Sequence, residues 1–485
     1  MIFLSYRQLS EIYGGRTQVV DANQFKFVDQ DLVINNVNVL SASGDRFLPN
    51  QTVVIKQGII TSIDTTTFDE SDYYSVDGAG KYLIPGLVDS HVHLFKSPND
   101  LLLYVANGVT HIREMIGEPK HLQWRKEIEA GRIGPDMYIA SPRTGSFKTL
   151  EGWFMAWSQG FVNIKNPAQA EKMVKKFYRK GYDGIKVYSY LNKPSYEAVN
   201  RTAMDLGMDV IGHIPWSVSL EDVWASNQSE IAHLEELMNA LNRAFGQFNS
   251  EKAAAFLEYV ENESAALADN LKQNNIHVTT TLWLTKSFVR QKFELQKVLT
   301  EVALAYENPG ISEWSPYIPQ GLGWLPEVNR YKLPDGLTEE EKTGRRVYWE
   351  TYGMACQILL KNLAERGVKI VAGTDANLPP TVPGFSLHQE LESMQEAGLS
   401  AAEVLQSATA VPAAWMKANA GTIEVNKVAQ LVLLNENPLL DIQHTKSIET
   451  VILNGKLLDR NTLDQMLEAV KMANDQSRKK DISAF

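Results

Sequence analysis

The sequence predicts an α/β protein: a (β/α)8 barrel with a small β-sandwich assembled from both ends of the chain. Three features predict it. Helix-like and strand-like stretches alternate from Pro85 to about Ala420, β-branched segments flank that region on both sides, and ionisable residues inside apolar runs fall where strands end. Alternation of this kind requires parallel strands joined by crossover helices.

The first flank runs from Phe25 to Asp64. Leu32-Val33-Ile34 leads to Val37-Asn38-Val39-Leu40 and then to an apolar stretch from Gln51 to Ile63, in which Gln57-Gly58 is a hairpin signal. The same texture returns in Gln430–Leu434 and Thr450–Lys456. Neither flank is large enough to bury a core alone, so residues 20–84 plus 421–460 are expected to form one composite β-sandwich. Residues 85–420 are assigned to the barrel. Within them, 283–350 is rich in Trp, Tyr, Pro and Gly and reads as a lid-like insertion whose Tyr317 and Trp324 are candidate substrate contacts. Residues 461–485 read as a C-terminal helix and tail.

Between the flanks, Asn166-Pro167 caps and opens a helix with Met173, Val174, Phe177 and Tyr178 on one face, and Gly181 stops it. A strand follows from Gly184 to Tyr188. A helical stretch then leads to Asp209–His213, and a short helix from Leu220 precedes Glu230–His233. Later, Gln357 to Arg366 passes through Gly367 into Lys369–Asp375.

Composition limits the function classes. The 485 residues are 44% hydrophobic and 22% charged, which excludes a fibrous or disordered chain. A net charge of −11 argues against nucleic acid or an anionic membrane surface as partner. No run of about 18 apolar residues is present, so no spanning helix is expected. The opening Met1-Ile2-Phe3-Leu4 is too short for a signal-peptide core. A cytoplasmic protein is expected, or a periplasmic or secreted one if an export signal lies outside the sequence given. The single cysteine, Cys356, lies in an apolar stretch and reads as a buried structural thiol.

The residues that carry chemistry begin with Pro85-Gly86-Leu87-Val88-Asp89-Ser90-His91-Val92-His93. On a strand, His91 and His93 share a face, so both imidazoles point the same way, and two imidazoles on one face are half of a metal site. Alone the pair is a weak signal. It gains weight because Lys186, His213, His233 and Asp375 also lie in or at the ends of apolar strands. A carboxylate or a lysine placed there needs a partner, since an unpaired buried charge costs several kcal/mol. In a parallel barrel, polar groups at the C-terminal strand ends read as catalytic. Tyr188, two residues after Lys186, shares its face and is a candidate substrate contact. His111, His121, His277 and His444 read as structural or solvated.

With these residues in view, the chain resembles the amidohydrolase superfamily, in the branch of imidazolonepropionase-like enzymes and Xaa-Pro dipeptidases. The resemblance rests on the Pro85–His93 run, Gly108-Val109-Thr110 through Arg113-Glu114, Ala372-Gly373-Thr374-Asp375-Ala376, Pro383–Leu391, and the return through Ser407-Ala408-Thr409 and Gly421–Glu424. It implies that His91, His93 and Asp375 bind one divalent metal, that His213 and His233 bind a second, and that Lys186, as a carbamate formed with CO2, bridges them. Zinc is the first expectation. It further implies that a hydroxide activated by the metals attacks a carbonyl, with Asp375 passing its proton to the leaving nitrogen. The same resemblance puts His388 near the metal site as a candidate substrate contact; the alternative reading is a helix-face histidine satisfied by a backbone carbonyl.

The implied function is a metal-dependent hydrolase of a C–N amide bond in a small N-acyl amino acid or dipeptide-like substrate. The alternatives are a cyclic-amide hydrolase of the imidazolonepropionase type, with one metal, and an esterase or lactonase. A non-enzymatic scaffold fits less well, because all six ligand candidates are present. A homo-oligomer is compatible with the resemblance. Two departures bear on substrate: Ser141-Pro142-Arg143-Thr144-Gly145-Ser146-Phe147 replaces the Gly-Gly-His stretch of dipeptidase-like members, and Ile214-Pro215-Trp216 follows His213 without their tyrosine.

Overall fold

The computed structural model describes residues 11–65, 71–312, 324, 329 and 331–479. Strands from both flanks form one eight-stranded sheet. The first flank supplies β1 (Leu32–Leu40), β2 (Phe47–Lys56), β3 (Ile59–Asp64), β4 (Tyr74–Asp77) and β5 (Tyr82–Pro85). The last supplies β16 (Leu431–Leu434), β17 (Ile448–Leu453) and β18 (Lys456–Asp459). The order is β18-β17-β16-β5-β1-β2-β3, with β4 also on β1.

The two ends of the chain meet where β5 pairs antiparallel with β16, Leu83 opposite Leu433 and Ile84 opposite Val432. One core serves both, with Leu32, Ile34, Val53, Ile55 and Leu83 packed with Leu431, Leu433, Ile452 and Leu457. The β2–β3 hairpin turns at Gln57-Gly58, both at positive φ (+49° and +81°), the backbone that a two-residue hairpin needs. The two short apolar runs at 32–34 and 37–40 are a single strand, bulged around Val37.

The intervening chain forms parallel strands. β6 (Leu87–Val92), β7 (Val109–Glu114) and β8 (Asp136–Ile139) make one sheet. A small pair, β9 (Thr144–Gly145) and β10 (Val162–Asn163), lies in the loop that follows. A second parallel sheet contains β11 (Gly184–Val187), β12 (Asp209–Gly212), β13 (Gln228–Ile231), β14 (His277–Thr279) and β15 (Ile370–Val371), in that order.

Backbone hydrogen bonds link the outer strands of these two sheets at both margins. At one, Ser141 N–H donates to Gly184 O (2.8 Å) and Asp183 N–H to Ile139 O (2.9 Å). At the other, Ser90 N–H donates to Ala372 O (2.9 Å) and Asp375 N–H to His91 O (2.8 Å). The ends of β6 and β15 therefore run side by side, which is what brings His91, His93 and Asp375 together.

The crossovers follow the sequence signals. In the helix Pro167–Lys180, the Asn166 side chain accepts from Gln169 N–H, Pro167 opens the first turn, and Gly181 ends it at φ +83°. Met173, Val174 and Phe177 are buried beneath it, whereas Tyr178, expected on that face, is exposed. Ser219 and Asp222 form a capping box for Leu220–Trp224. Cys356 is buried in the long helix Glu339–Glu365, and burial pushes its thiol well above the ordinary value. The helix Arg460–Arg478 closes the described chain. Among the described residues, no helix is long and apolar enough to cross a membrane.

Candidate metal centre

His91 lies in β6 and His93 just beyond it, on the same side of the strand. Asp375 follows β15 at φ +59°, in the left-handed region. Its Oδ1 is 2.8 Å from His93 Nε2 and 3.6 Å from His91 Nε2, and all three residues are buried. Close as it is, Oδ1 has no hydrogen bond of acceptable geometry, and the Nδ1 atoms of both histidines also lack partners. Buried polar atoms are normally satisfied. A buried carboxylate oxygen left without a partner between two imidazole Nε2 atoms has the donor chemistry of a divalent cation site, so these residues fit a bound metal. Among the described residues this is the group of acids and imidazoles with ligand atoms all within 4.8 Å of one another.

Lys186, on β11, is buried and points its Nζ to within 3.4 Å of His91 Nε2. Its neighbours Ile185 and Val187 are buried on the opposite side of the alternation. Space for the lysine stem comes from Gly212: at φ +121°, a Cβ there would stand 2.9 Å from Lys186 Cδ and 2.3 Å from Val187 O. Burial pushes the Lys186 ammonium down to about 8, with the charges of Glu230 and Asp375 acting in the opposite sense. An appreciable share of neutral amine is therefore present near neutral pH, and the neutral amine is the form that reacts with CO2.

His213 and His233 follow β12 and β13. The His233 ring centroid lies 4.4 Å from that of His91 and 5.1 Å from that of His213, so the imidazoles form a continuous group. His213 Nδ1 is held by Glu236 Oε1 (2.8 Å) and Ser189 Oγ (3.0 Å), and His233 Nδ1 by Thr281 Oγ1 (3.2 Å). Fixing one ring nitrogen from outside orients the other as a ligand. Burial lowers His91 and His93 and takes His233 down to about 3, so these rings are neutral, as metal ligation requires. Burial alone would raise the Asp375 carboxyl, but His233, His93 and Lys186 outweigh it and hold the group anionic.

Sequence reasoning assigned no role to the groups beneath this centre. Arg113 on β7 and Glu230 on β13 form a fully buried two-pronged ion pair, with Nη1–Oε1 at 3.3 Å and Nη2–Oε2 at 3.1 Å. Trp415 lies against the guanidinium, 3.6 Å from ring centroid to Cζ, and the Thr279 hydroxyl donates to Glu230. Charged residues in mid-strand were the available signal, but periodicity gives a face and not a partner. Glu236 was likewise missed; its signal was its place three residues after His233.

Two expected substrate contacts are corrected. His388 is buried on the helix Phe385–Glu396 with both nitrogens engaged, Nδ1 with Thr445 Oγ1 (2.9 Å) and Nε2 with Asn107 O (3.2 Å). It ties that helix to its neighbours. Trp324 does not face a mouth: it is fully buried in a satellite cluster with Val302 and Val382, against Trp283 and Tyr306. Trp324→Ala is therefore expected to cost about 3–5 kcal/mol of stability while leaving KM unchanged, as read from denaturant midpoints and steady-state kinetics. Tyr317 lies outside the described residues. Tyr188 does reach the centre, its ring centroid 4.1 Å from that of His213. His111, His121, His277 and His444 are held elsewhere, by Thr110, Phe95 O, Ser229 O and Asn437 O.

Comparison with known proteins gives a family match over part of the chain and likenesses of fold. Residues 355–458 match the model of the amidohydrolase family. An adenine deaminase of Chelativorans sp. (strain BNC1) is 32% identical over 111 residues, 22% of this chain but only 17% of that protein. In fold, the chain is similar to a bottromycin amidohydrolase (TM-score 0.67, 23% identity, 99% of this chain and 94% of the other). It is also similar to a Xaa-Pro dipeptidase solved with methionine in its active site (TM-score 0.61, 20% identity, 88% and 100% covered). The family match is confined to residues 355–458, the chain spans under a fifth of the length of the curated relatives it matches, and the likeness to the solved structures is one of fold.

Proposed function

We propose that the protein is a metal-dependent hydrolase of the amide bond in small N-acyl amino acids or dipeptide-like substrates. The observation that carries this reading is the buried convergence of His91, His93 and Asp375 with Lys186 Nζ 3.4 Å from His91. The reading takes the eight parallel strands as one (β/α)8 barrel, supported by the hydrogen bonds at both sheet margins. It takes residues 20–84 plus 421–460 as the composite β-sandwich domain, 85–420 as the barrel, 283–350 as its insertion and 461–485 as the tail.

His91, His93 and Asp375 would hold one divalent ion, zinc by donor type, and His213 and His233 a second. Lys186 would bridge them as a carbamate: its neutral amine adds to CO2, forming an N–C bond and releasing a proton, and replaces a buried cation by an anion with two oxygens. When bound, such ions supply Lewis acidity, making water more acidic and polarising a carbonyl. Asp375 Oδ1 would accept the proton of the attacking water and deliver it to the leaving nitrogen. Tyr188, beside His213, would border the reacting group.

Metal analysis combined with a screen of N-acyl amino acids, dipeptides, cyclic amides and lactones tests the reading. The expected result is about two divalent ions per chain, hydrolysis of the acyclic amides, and loss of it with a strong chelator. Full activity after verified metal removal would overturn the mechanism. One ion per chain with cyclic amides preferred would transfer the assignment to the imidazolonepropionase type.

A further inference from the structure

Beyond Lys186, the chain continues into a run of aromatic rings that leads out of the centre. Tyr188 touches His213, and the ring centroids of Phe161 and Tyr190 lie 5.3 and 5.8 Å from that of Tyr188. Phe147 is 5.3 Å from both Phe161 and Tyr190, and Trp216 is 4.8 Å from Tyr190. Phe147 and Phe161 are buried, Tyr188 is half-buried, and Tyr190 and Trp216 are exposed, so the rings pass from a candidate ligand to solvent.

A cation is set into this wall. The Arg143 guanidinium lies 4.6 Å from the Phe161 centroid and 5.6 Å from that of Tyr188. Its backbone is fixed by the β9–β10 pair, through Val162 N–H donating to Arg143 O at 2.8 Å. Its Nη2 donates to Gln159 O at 2.6 Å, its Nε is buried without a partner, and no carboxylate of the described residues pairs with it. Its charge is felt at both His93 and Tyr188. A half-enclosed guanidinium that lacks a counter-ion and faces a reaction centre is suited to a planar anion, and the rings beside it are suited to apolar bulk.

We propose that Arg143 and this aromatic wall form a substrate-recognition subsite that takes a carboxylate carried next to a large apolar or aromatic group, as in an N-acylated aromatic amino acid. The link to turnover rests on the amide-hydrolase reading above; the binding itself does not. Calorimetric titration of the full-length protein as isolated, with compounds it cannot hydrolyse, tests the subsite. The protein is expected to bind 3-phenylpropanoate at least about tenfold tighter than 3-phenylpropan-1-ol or propanoate, since a charge-assisted contact and a buried ring each contribute on that scale. Arg143→Gln should abolish the preference over the alcohol while still binding the alcohol, Arg143→Lys should restore part of it, and Tyr190→Ala should reduce the preference over propanoate. No preference in the unaltered protein would overturn the proposal. So would a carboxylate preference that survives Arg143→Gln, because the anion would then be held elsewhere, or an aromatic preference that survives Tyr190→Ala. If these preferences hold in a protein that hydrolyses no amide, the amide-hydrolase reading fails and the subsite stands.

Discussion

Lys186→Ala is expected to remove metal and activity together. The side chain is buried, its Nζ stands 3.4 Å from His91, and as an ammonium it would repel any cation held by the same histidines. As a carbamate anion it would instead attract one. Removing even an outer partner of a ligand costs roughly 10–100-fold in metal affinity, and loss of a bridging ligand should exceed that. Metal content after dialysis against a weak chelator, read beside kcat/KM, checks the prediction. Formate or acetate should restore part of both, because a small carboxylate can occupy the emptied volume. Gly212→Ala should act in the same direction with Lys186 intact, since its Cβ would collide with the lysine stem and with Val187 O. Unchanged metal content in Lys186→Ala would remove the bridge from the account.

Asp375→Asn should lower kcat on the order of 10²–10⁴-fold, the usual contribution of a positioned acid–base group. The substitution is close to isosteric, and asparagine tolerates the left-handed backbone at φ +59°, so the fold should persist. What disappears is an anionic oxygen 2.8 Å from His93 and 3.6 Å from His91 and, with it, a group able to carry a proton. Unaltered circular dichroism with a collapsed kcat is the expected pattern; activity within tenfold of the unsubstituted protein would exclude the role.

Much of the framework was legible in the sequence because it is written locally. Asn166-Pro167 with Gly181 marks a helix, Gln57-Gly58 a hairpin, and the His91/His93 alternation one face of a strand, whatever surrounds them. The ligand candidates were legible because ionisable groups at the ends of apolar strands conflict with burial unless something binds them. Features that depend on three-dimensional partners were not. Arg113 and Glu230 look alike in sequence whether exposed or paired, and the pair exists only because β7 and β13 face one another. Trp324 was read from residue type and His388 from the resemblance, whereas packing against Val302 and Val382 in one case, and bonds to Thr445 and Asn107 in the other, decide their roles. Arg143 marked a departure in sequence, and only the rings around it suggest a use.

Anomalous diffraction from crystals of the metal-loaded, active protein locates the ions and the Lys186 side chain in one experiment. One metal peak enclosed by His91, His93 and Asp375, a second beside His213 and His233, and density beyond Lys186 Nζ for a carbamate joining them are expected. Active protein with no metal peak at His91, His93 and Asp375 would contradict the metal-dependent mechanism.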